Sequence, residues 1–246
     1  MECYFTKDKA DNTLILDTDD SNHAIKVMRH KINDEIIVIY EQQKYQTKII
    51  ITKPNVQCEI IKPLTNSNAE LSCKITLVMA LLKEQKFDYV IQKVVELGVH
   101  QIVPMQLKRC VSVLTTQKAE QKVARWQSIA KAAAKQANRN IIPIISPTVF
   151  MIKDLAPYKS QLNLVADENG NDTTWIACFN KKLLTTTIVI GPEGGITREE
   201  ITDFHNLGFS SISLGKLILR AETAPLFLIS IINYETNLKL KGVNND

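Results

Sequence analysis

The spacing of apolar positions changes along this chain, and the changes divide it into parts. Over residues 1–70 the pattern is short and strand-like: EIIVIYE (Glu35 to Glu41), KYQTKIIITK (Lys44 to Lys53) and VQCEIIK (Val56 to Lys62) are runs rich in β-branched residues, a few positions apart. Ahead of them DSNHAIKVMRHK can form one helix, capped by Asp20 or Ser21. Short strands, tight turns and one helix predict a small β-barrel, and the polar, turn-rich PLTNSNAE (Pro63 to Glu70) reads as the linker that ends it.

After the linker, KITLVMALL (Lys74 to Leu82) is apolar without a break, as a strand covered on both faces should be. Phe87, Val90, Ile91 and Val94 then fall at i, i+3, i+4 and i+7, Gly98 stands where a helix stops, and HQIVPMQ forms a second strand. Strand, helix, strand predicts a parallel sheet and an α/β domain over residues 71–246. A long helix is expected from Gln117 to Asn138, with Ala119, Val123, Trp126, Ala130, Ala133 and Ala137 on one arc and Lys118, Lys122, Arg125, Lys131, Lys135 and Arg139 opposite. Further strands are expected in QLNLVADE (Gln161 to Glu168), at Ile188 to Ile190 and at Ile212 to Leu214. Thr197-Arg-Glu-Glu200 has the form of a capping box, so a helix should run from there to Gly208. Ala224 to Asn237 is apolar nearly all round and predicts a buried helix.

Charge changes this picture in one place. The net charge is +4, but residues 71–149 carry twelve Lys and Arg against four Asp and Glu, while the segments on either side are each slightly acidic. A basic middle suits a polyanion such as RNA, although a run of charge is also what any solvated helix face shows. The five cysteines, Cys3, Cys58, Cys73, Cys110 and Cys178, are odd in number and nowhere spaced C-x-x-C, so neither a disulfide framework nor a zinc site is indicated and no metal is expected. No run is long enough to span a membrane and MECYFTKDKA has no signal-peptide core; a cytoplasmic protein is expected.

The candidate chemistry lies between Thr186 and Thr223. Two β-like runs there lead into glycine, in IGPEGGIT (Ile190 to Thr197) and in LGKLILRAETA (Leu214 to Ala224). Glycine after a strand lets the backbone take a positive φ or come close to a ligand, and in open α/β sheets ligands sit beyond the carboxyl ends of the strands. Gly191-Pro-Glu-Gly194-Gly195 is not the G-x-G-x-x-G of a dinucleotide fold, and Gly215-Lys216 lacks the Ser or Thr of a P-loop. A dehydrogenase or a kinase is thereby disfavoured.

These two strings resemble the signature loops of the family that methylates N3 of a uridine in 16S ribosomal RNA, within the SPOUT superfamily of S-adenosylmethionine (SAM)-dependent RNA methyltransferases. Lys83, Gln92, Lys93, Glu96, Leu97, Gly98 and Val99 match a further family pattern, and SNHAIKVMR followed by INDEI is similar to its N-terminal block, with Asn33 where glycine is usual. Lys93 and Glu96 read equally as a local ion pair or as part of a site. The resemblance implies a PUA-like RNA-binding barrel over 1–70 and a SPOUT domain over 71–246 whose end is threaded as a trefoil knot, paired in a homodimer. It implies SAM held by Val165, Ile190, Gly191, Pro192, Glu193, Gly194, Gly195, Leu214, Gly215, Leu217, Ile218 and Leu219. Arg220 would stabilise the anionic uracil, Glu222 would hold Arg220, and Glu193 is a weaker candidate for proton acceptor. RNA of the small ribosomal subunit would be met by Arg29, Arg109, Arg125, Lys135 and Arg139, with Arg139 favoured for its planar fork. A SPOUT enzyme acting on another RNA such as tRNA, or an RNA-binding assembly factor without activity, are the alternatives.

Overall fold

The computed structural model describes residues 2–64, 69–170 and 183–238. The chain divides into two compact units: Met1–Glu70 with Ala134–Ile141, and Leu71–Ala133 with Ile142–Asp246.

In the first unit the strands are β1 (Cys3–Phe5), β2 (Asp8–Ala10), β3 (Thr13–Ile15), β4 (Glu35–Tyr40), β5 (Gln43–Ile51) and β6 (Gln57–Pro63). They form one six-stranded mixed sheet in the order β1-β4-β5-β6-β3-β2, in which β1 pairs β4 in parallel and the other pairs are antiparallel. The strands expected here thus form one mixed sheet, with β1 and β2 at the two ends of its strand order. Alternation decides what is buried: Ile36 and Val38 of β4 point inward with Tyr4, Leu14, Leu16, Ala24, Ile49, Val56 and Cys58. Glu41 and Gln42 both have positive φ, 48° and 66°, the mirror-image turn that fits the twist of a two-residue hairpin.

Helix α1 (Thr18–Asn22) is shorter than expected and starts earlier. Its cap is Asp17, which accepts from the Asp20 amide at 2.7 Å, rather than Asp20 or Ser21. Those two are buried inside the turn, where Ser21 Oγ donates to the Leu16 carbonyl and accepts from the Val56 amide. The chain continues through a wider turn, His23–Val27, and Arg29 breaks the helix at φ 60°. Asn33 has φ 77°, a conformation that asparagine tolerates better than most side chains.

The second unit holds β7 (Lys74–Ala80), α2 (Glu84–Glu96), β8 (Gln101–Met105), α3 (Thr116–Gln136, as far as Ala133), β9 (Ile144–Ile145), β10 (Leu162–Ala166), β11 (Thr185–Ile190), α4 (Arg198–Asn206), β12 (Ser210–Ile212) and α5 (Ala224–Asn233). The strand order is β12-β10-β11-β7-β8-β9, and every pair is parallel. β7 lies inside this sheet and Ile75 to Ala80 are all buried, which is why its sequence is apolar after Lys74 at every position but Thr76. On α2, Phe87, Val90, Ile91, Val94 and Val95 face the core, and the Phe87 ring stacks at a tilt on Trp126 of α3, centroids 4.4 Å apart. Gly98 ends α2 at φ 97°, and a side chain there would lie 2.6 Å from Leu71.

Four of the cysteines are buried and unpaired, and burial pushes the thiols of Cys3 and Cys58 up to about 11 and that of Cys73 up to about 12. Cys178 lies outside the described residues. Among the described residues no helix is long and apolar enough to cross a membrane.

Candidate active site

Because every strand of the second sheet runs the same way, the segments leaving β7, β8, β10, β11 and β12 emerge at one edge. The strand β11 ends at Ile190 and opens into Gly191 to Gly195. Each of its first two glycines is required by a neighbour: a Cβ on Gly191 would meet Ile196 Cγ1 at 2.6 Å, and one on Gly194 would lie 3.1 Å from Arg109 Cβ and 3.2 Å from the Arg109 carbonyl. Gly195 has φ 72°. The guanidinium of Arg109 donates to the Gly194 carbonyl at 3.0 Å, so this expected RNA contact is fixed on the loop itself.

The strand β12 ends at Ile212, two residues earlier than the sequence suggests, which places Ser213 and Leu214 in the loop. Gly215 turns that loop at φ 110° with open space around it, and Leu217 and Ile218 beyond it are 80% and 87% exposed. The Arg220 carbonyl accepts the amides of Thr223 and Ala224 at the start of α5, which pins the Arg220 backbone while its side chain stays exposed. Val165 lies in β10, one residue before its end, and is fully buried. After β10 the Asp167 amide bonds the Ile212 carbonyl at 3.0 Å, and a Cβ on Gly170 would lie 2.9 Å from the Ile212 carbonyl carbon. Gly170 and Asp167 therefore close the edge against β12, a role the sequence does not announce.

One charged residue that the sequence reading passed over stands at the centre. Lys86, in the first turn of α2, has its Nζ 3.3 Å from Glu193 and 3.3 Å from Glu222, and so joins the loop after β11 to the loop after β12. Burial opposes ionisation of Glu222, but its own backbone amide, Lys86 and the nearby Arg220 outweigh that and hold its carboxyl below the usual glutamate range. The Glu193 carboxylate leads, with Glu222, in raising the Lys86 ammonium above the ordinary lysine value against the effect of burial. Lys86 thus brings Glu193 and Glu222 together, whereas among the described residues no ion pair joins Glu222 to Arg220, whose exposed guanidinium acts on that carboxylate only through its charge.

The expected capping box is present: Thr197 Oγ1 accepts from the Glu200 amide at 3.2 Å and Glu200 returns a contact to the Thr197 amide at 2.9 Å. The other oxygen of this buried carboxylate accepts from the Lys108 amide at 2.7 Å, tying the segment after β8 to α4. Replacing Thr197 by alanine should cost about 1 kcal/mol and lower Tm by roughly 2–4 °C. Thermal unfolding checks this, and an unchanged Tm would mean the cap carries no stability.

The remaining expected contacts are mostly occupied within the protein. Arg125 pairs with Glu84 and Asp88 and Lys122 with Glu84, so this part of the basic helix face is matched by acids on α2. Lys93 and Glu96 pair with each other at 2.8 Å. In the first unit, Lys135 pairs with Asp20, and Arg139 is buried against Glu70. For Arg139, the favoured RNA contact, the structure gives the opposite of an exposed fork: its guanidinium is buried and held by the Glu70 carboxylate. Arg29 is exposed on its left-handed turn. A groove of about 390 Å³ lined by Met151, Ile152, Lys153, Asp203, Asn206 and Leu207 lies at the far end of α4 and contains none of these residues. Among the described residues no group of His, Cys, Asp and Glu is placed to hold a metal ion.

Comparison with known proteins fits this geometry. An RNA methyltransferase domain model matches residues 69–233, and an RNA methyltransferase PUA domain model matches residues 16–61. Ribosomal RNA small subunit methyltransferase E of Bacillus subtilis is 34% identical over 98% of this chain and 99% of its own length. The protein of the same name from Mesomycoplasma hyopneumoniae is 36% identical over 94% of this chain and 98% of its own. The structure of ribosomal RNA small subunit methyltransferase E from Neisseria gonorrhoeae bound to S-adenosyl methionine superposes with a TM-score of 0.84, at 27% identity, covering 94% of this chain and 96% of that one. The domain match over most of the chain, and these relatives along nearly its whole length, show that it belongs to the ribosomal RNA small subunit methyltransferase E family.

Proposed function

We propose that this protein transfers the methyl group of SAM to N3 of one specific uridine in the 16S ribosomal RNA of the small ribosomal subunit, acting in the cytoplasm as a homodimer. The observation that carries the reading is the meeting of the Gly191 to Gly195 loop and the Ser213 to Thr223 loop at one sheet edge, with Lys86 between their carboxylates.

The residues at this edge suit SAM. Among the described residues the peptide groups of Leu217, Ile218 and Leu219 make no hydrogen bond within the protein, and exposed Leu217 and Ile218 offer apolar cover for a purine. Ile190 to Gly195, Leu214, Gly215 and Leu217 to Leu219 would hold the cofactor, mostly through backbone groups. Bound there, SAM supplies an electrophilic methyl group on its sulfonium. N3 of uracil is a poor nucleophile until its proton leaves, so the protein must favour the imidate. Arg220 would do this by setting a positive charge beside the uracil, with the charge of Glu222, itself paired to Lys86, favouring its place there. Glu193 is the weaker candidate for taking the N3 proton.

The finer features of the fold follow the same reading. The strand order β12-β10-β11, with β10 between two strands that come after it in sequence, is the order expected if the C-terminal segment is threaded as a trefoil knot. Phe227 and Tyr234, exposed on and just after α5, give apolar surface for a second copy to cover. RNA contact in the first unit is assigned to Arg29.

The test is nucleoside mass spectrometry of small ribosomal subunits from a strain lacking the gene, before and after incubation with protein and SAM. Appearance of 3-methyluridine is expected. SAM binding without it would favour another RNA such as tRNA as the substrate, and loss of SAM binding as well would favour an assembly factor.

A further inference from the structure

Lys86 occupies a position that helix energetics do not explain. It lies in the first turn of α2, where the helix dipole disfavours a cation, and the N-cap, Lys83, makes no side-chain cap. What it meets instead is two carboxylates from two different loops, each at 3.3 Å. Both oxygens touch one nitrogen, so they can be no farther apart than twice that distance, and without the ammonium Glu193 and Glu222 would repel across a partly desolvated site. A lysine suits the place because its compact charge carries three donors that can point to separate acceptors.

We propose that Lys86 is a positioning residue for methyl transfer, holding the Gly191 to Gly195 loop and the Arg220 to Thr223 segment in one arrangement through Glu193 and Glu222. The inference rests on the reading of this edge as the SAM and uracil site. Lys86 need not touch either ligand. Its effect on SAM passes through Glu193 and the glycine loop, and its effect on uracil passes through Glu222 to Arg220.

Lys86→Met keeps an unbranched stem of nearly the same reach and removes the charge. Relative to the parent protein it should weaken SAM binding about tenfold and lower kcat about thirtyfold, the scale of losing the one charge that bridges two carboxylates in a partly desolvated site. Lys86→Arg should restore both to within about threefold. The acid limb of kcat gives a signature that a merely structural role would not. The charges facing Glu222 are Lys86 and Arg220, with Glu193 across Lys86. Removing Lys86 takes away part of what depresses the Glu222 carboxyl, so it should protonate at higher pH and the limb should move upward. Calorimetric SAM titration, single-turnover rates across pH and thermal unfolding of both variants and of Lys86→Gln read these effects. Kd, kcat and the acid limb all unchanged in Lys86→Met would overturn the proposal, as would losses in Kd and kcat that only track a lowered Tm in all three variants. If the parent protein binds SAM but methylates no uridine, the functional reading fails, while the Kd comparison still decides whether Lys86 holds the loops.

Discussion

Replacing Arg220 by alanine should lower kcat roughly a hundred- to a thousandfold, the cost of losing one preorganised stabiliser of developing negative charge, and leave SAM affinity within about twofold. The two effects separate because of how the residue is built into the chain. Its carbonyl is engaged by the amides of Thr223 and Ala224 at the head of α5, so the backbone should stay where it is when the side chain is cut back. Its guanidinium is exposed at the site edge next to Glu222, where it can meet a substrate that arrives from solvent. A positive charge there favours the imidate form of uracil over the neutral base. Arg220→Lys should fall between, since it keeps the charge and loses the planar fork. Single-turnover rates with saturating SAM, together with a direct SAM titration, measure both quantities. Full kcat in Arg220→Ala would remove Arg220 from the mechanism.

What the sequence makes legible here is local pattern. The unbroken apolar run of β7 announces a strand covered on both faces, Thr197 and Glu200 announce a capping box three residues apart, and Gly98 announces the end of α2. The two glycine loops are likewise contiguous strings, and they lead to Glu193, Arg220 and Glu222. Features that depend on distant partners leave no such trace. Lys86 looks like any lysine on an amphipathic helix until two loops more than a hundred residues away bring carboxylates to it. The basic face of α3 reads as free charge because the sequence does not reveal that Glu84 and Asp88 lie opposite Lys122 and Arg125. Local rivalry also blurs boundaries: Asp17, Asp20 and Ser21 are all good caps, and only the burial of the last two decides for Asp17. The length of α3 is a similar case, since it stops at Gln136 where Asn138 takes a left-handed turn at φ 54°, a conformation that asparagine tolerates but does not require.

The segment Ala134–Ile141 gives the other large expected effect, because its charges are structural. Glu70 accepts from Arg139 Nε at 3.3 Å, from Arg139 Nη2, and from the amides of Asn140 and Ile141 at 3.0 and 3.2 Å. The Arg139 side chain is 3% exposed and that of Glu70 13%, so the pair is formed largely out of water. Nearby, the buried Lys44 gives its ammonium to the Asn138 carbonyl at 2.7 Å, and burial lowers its pKa from the ordinary lysine value. Cutting Glu70 back to alanine takes the carboxylate from a buried guanidinium and the acceptor from two amides, which should cost about 3–5 kcal/mol and lower Tm by roughly 6–20 °C. Glu70→Gln keeps an acceptor for the amides and should lose less. The double variant Glu70→Met with Arg139→Met removes both charges and should be more stable than Glu70→Ala, because a buried ion pair is costly to break yet contributes little against an apolar pair of similar size. Thermal and urea unfolding of the three variants measure the differences. A loss under about 1 kcal/mol in Glu70→Ala would mean that Arg139 is readily hydrated, and it would return Arg139 to the residues available for RNA.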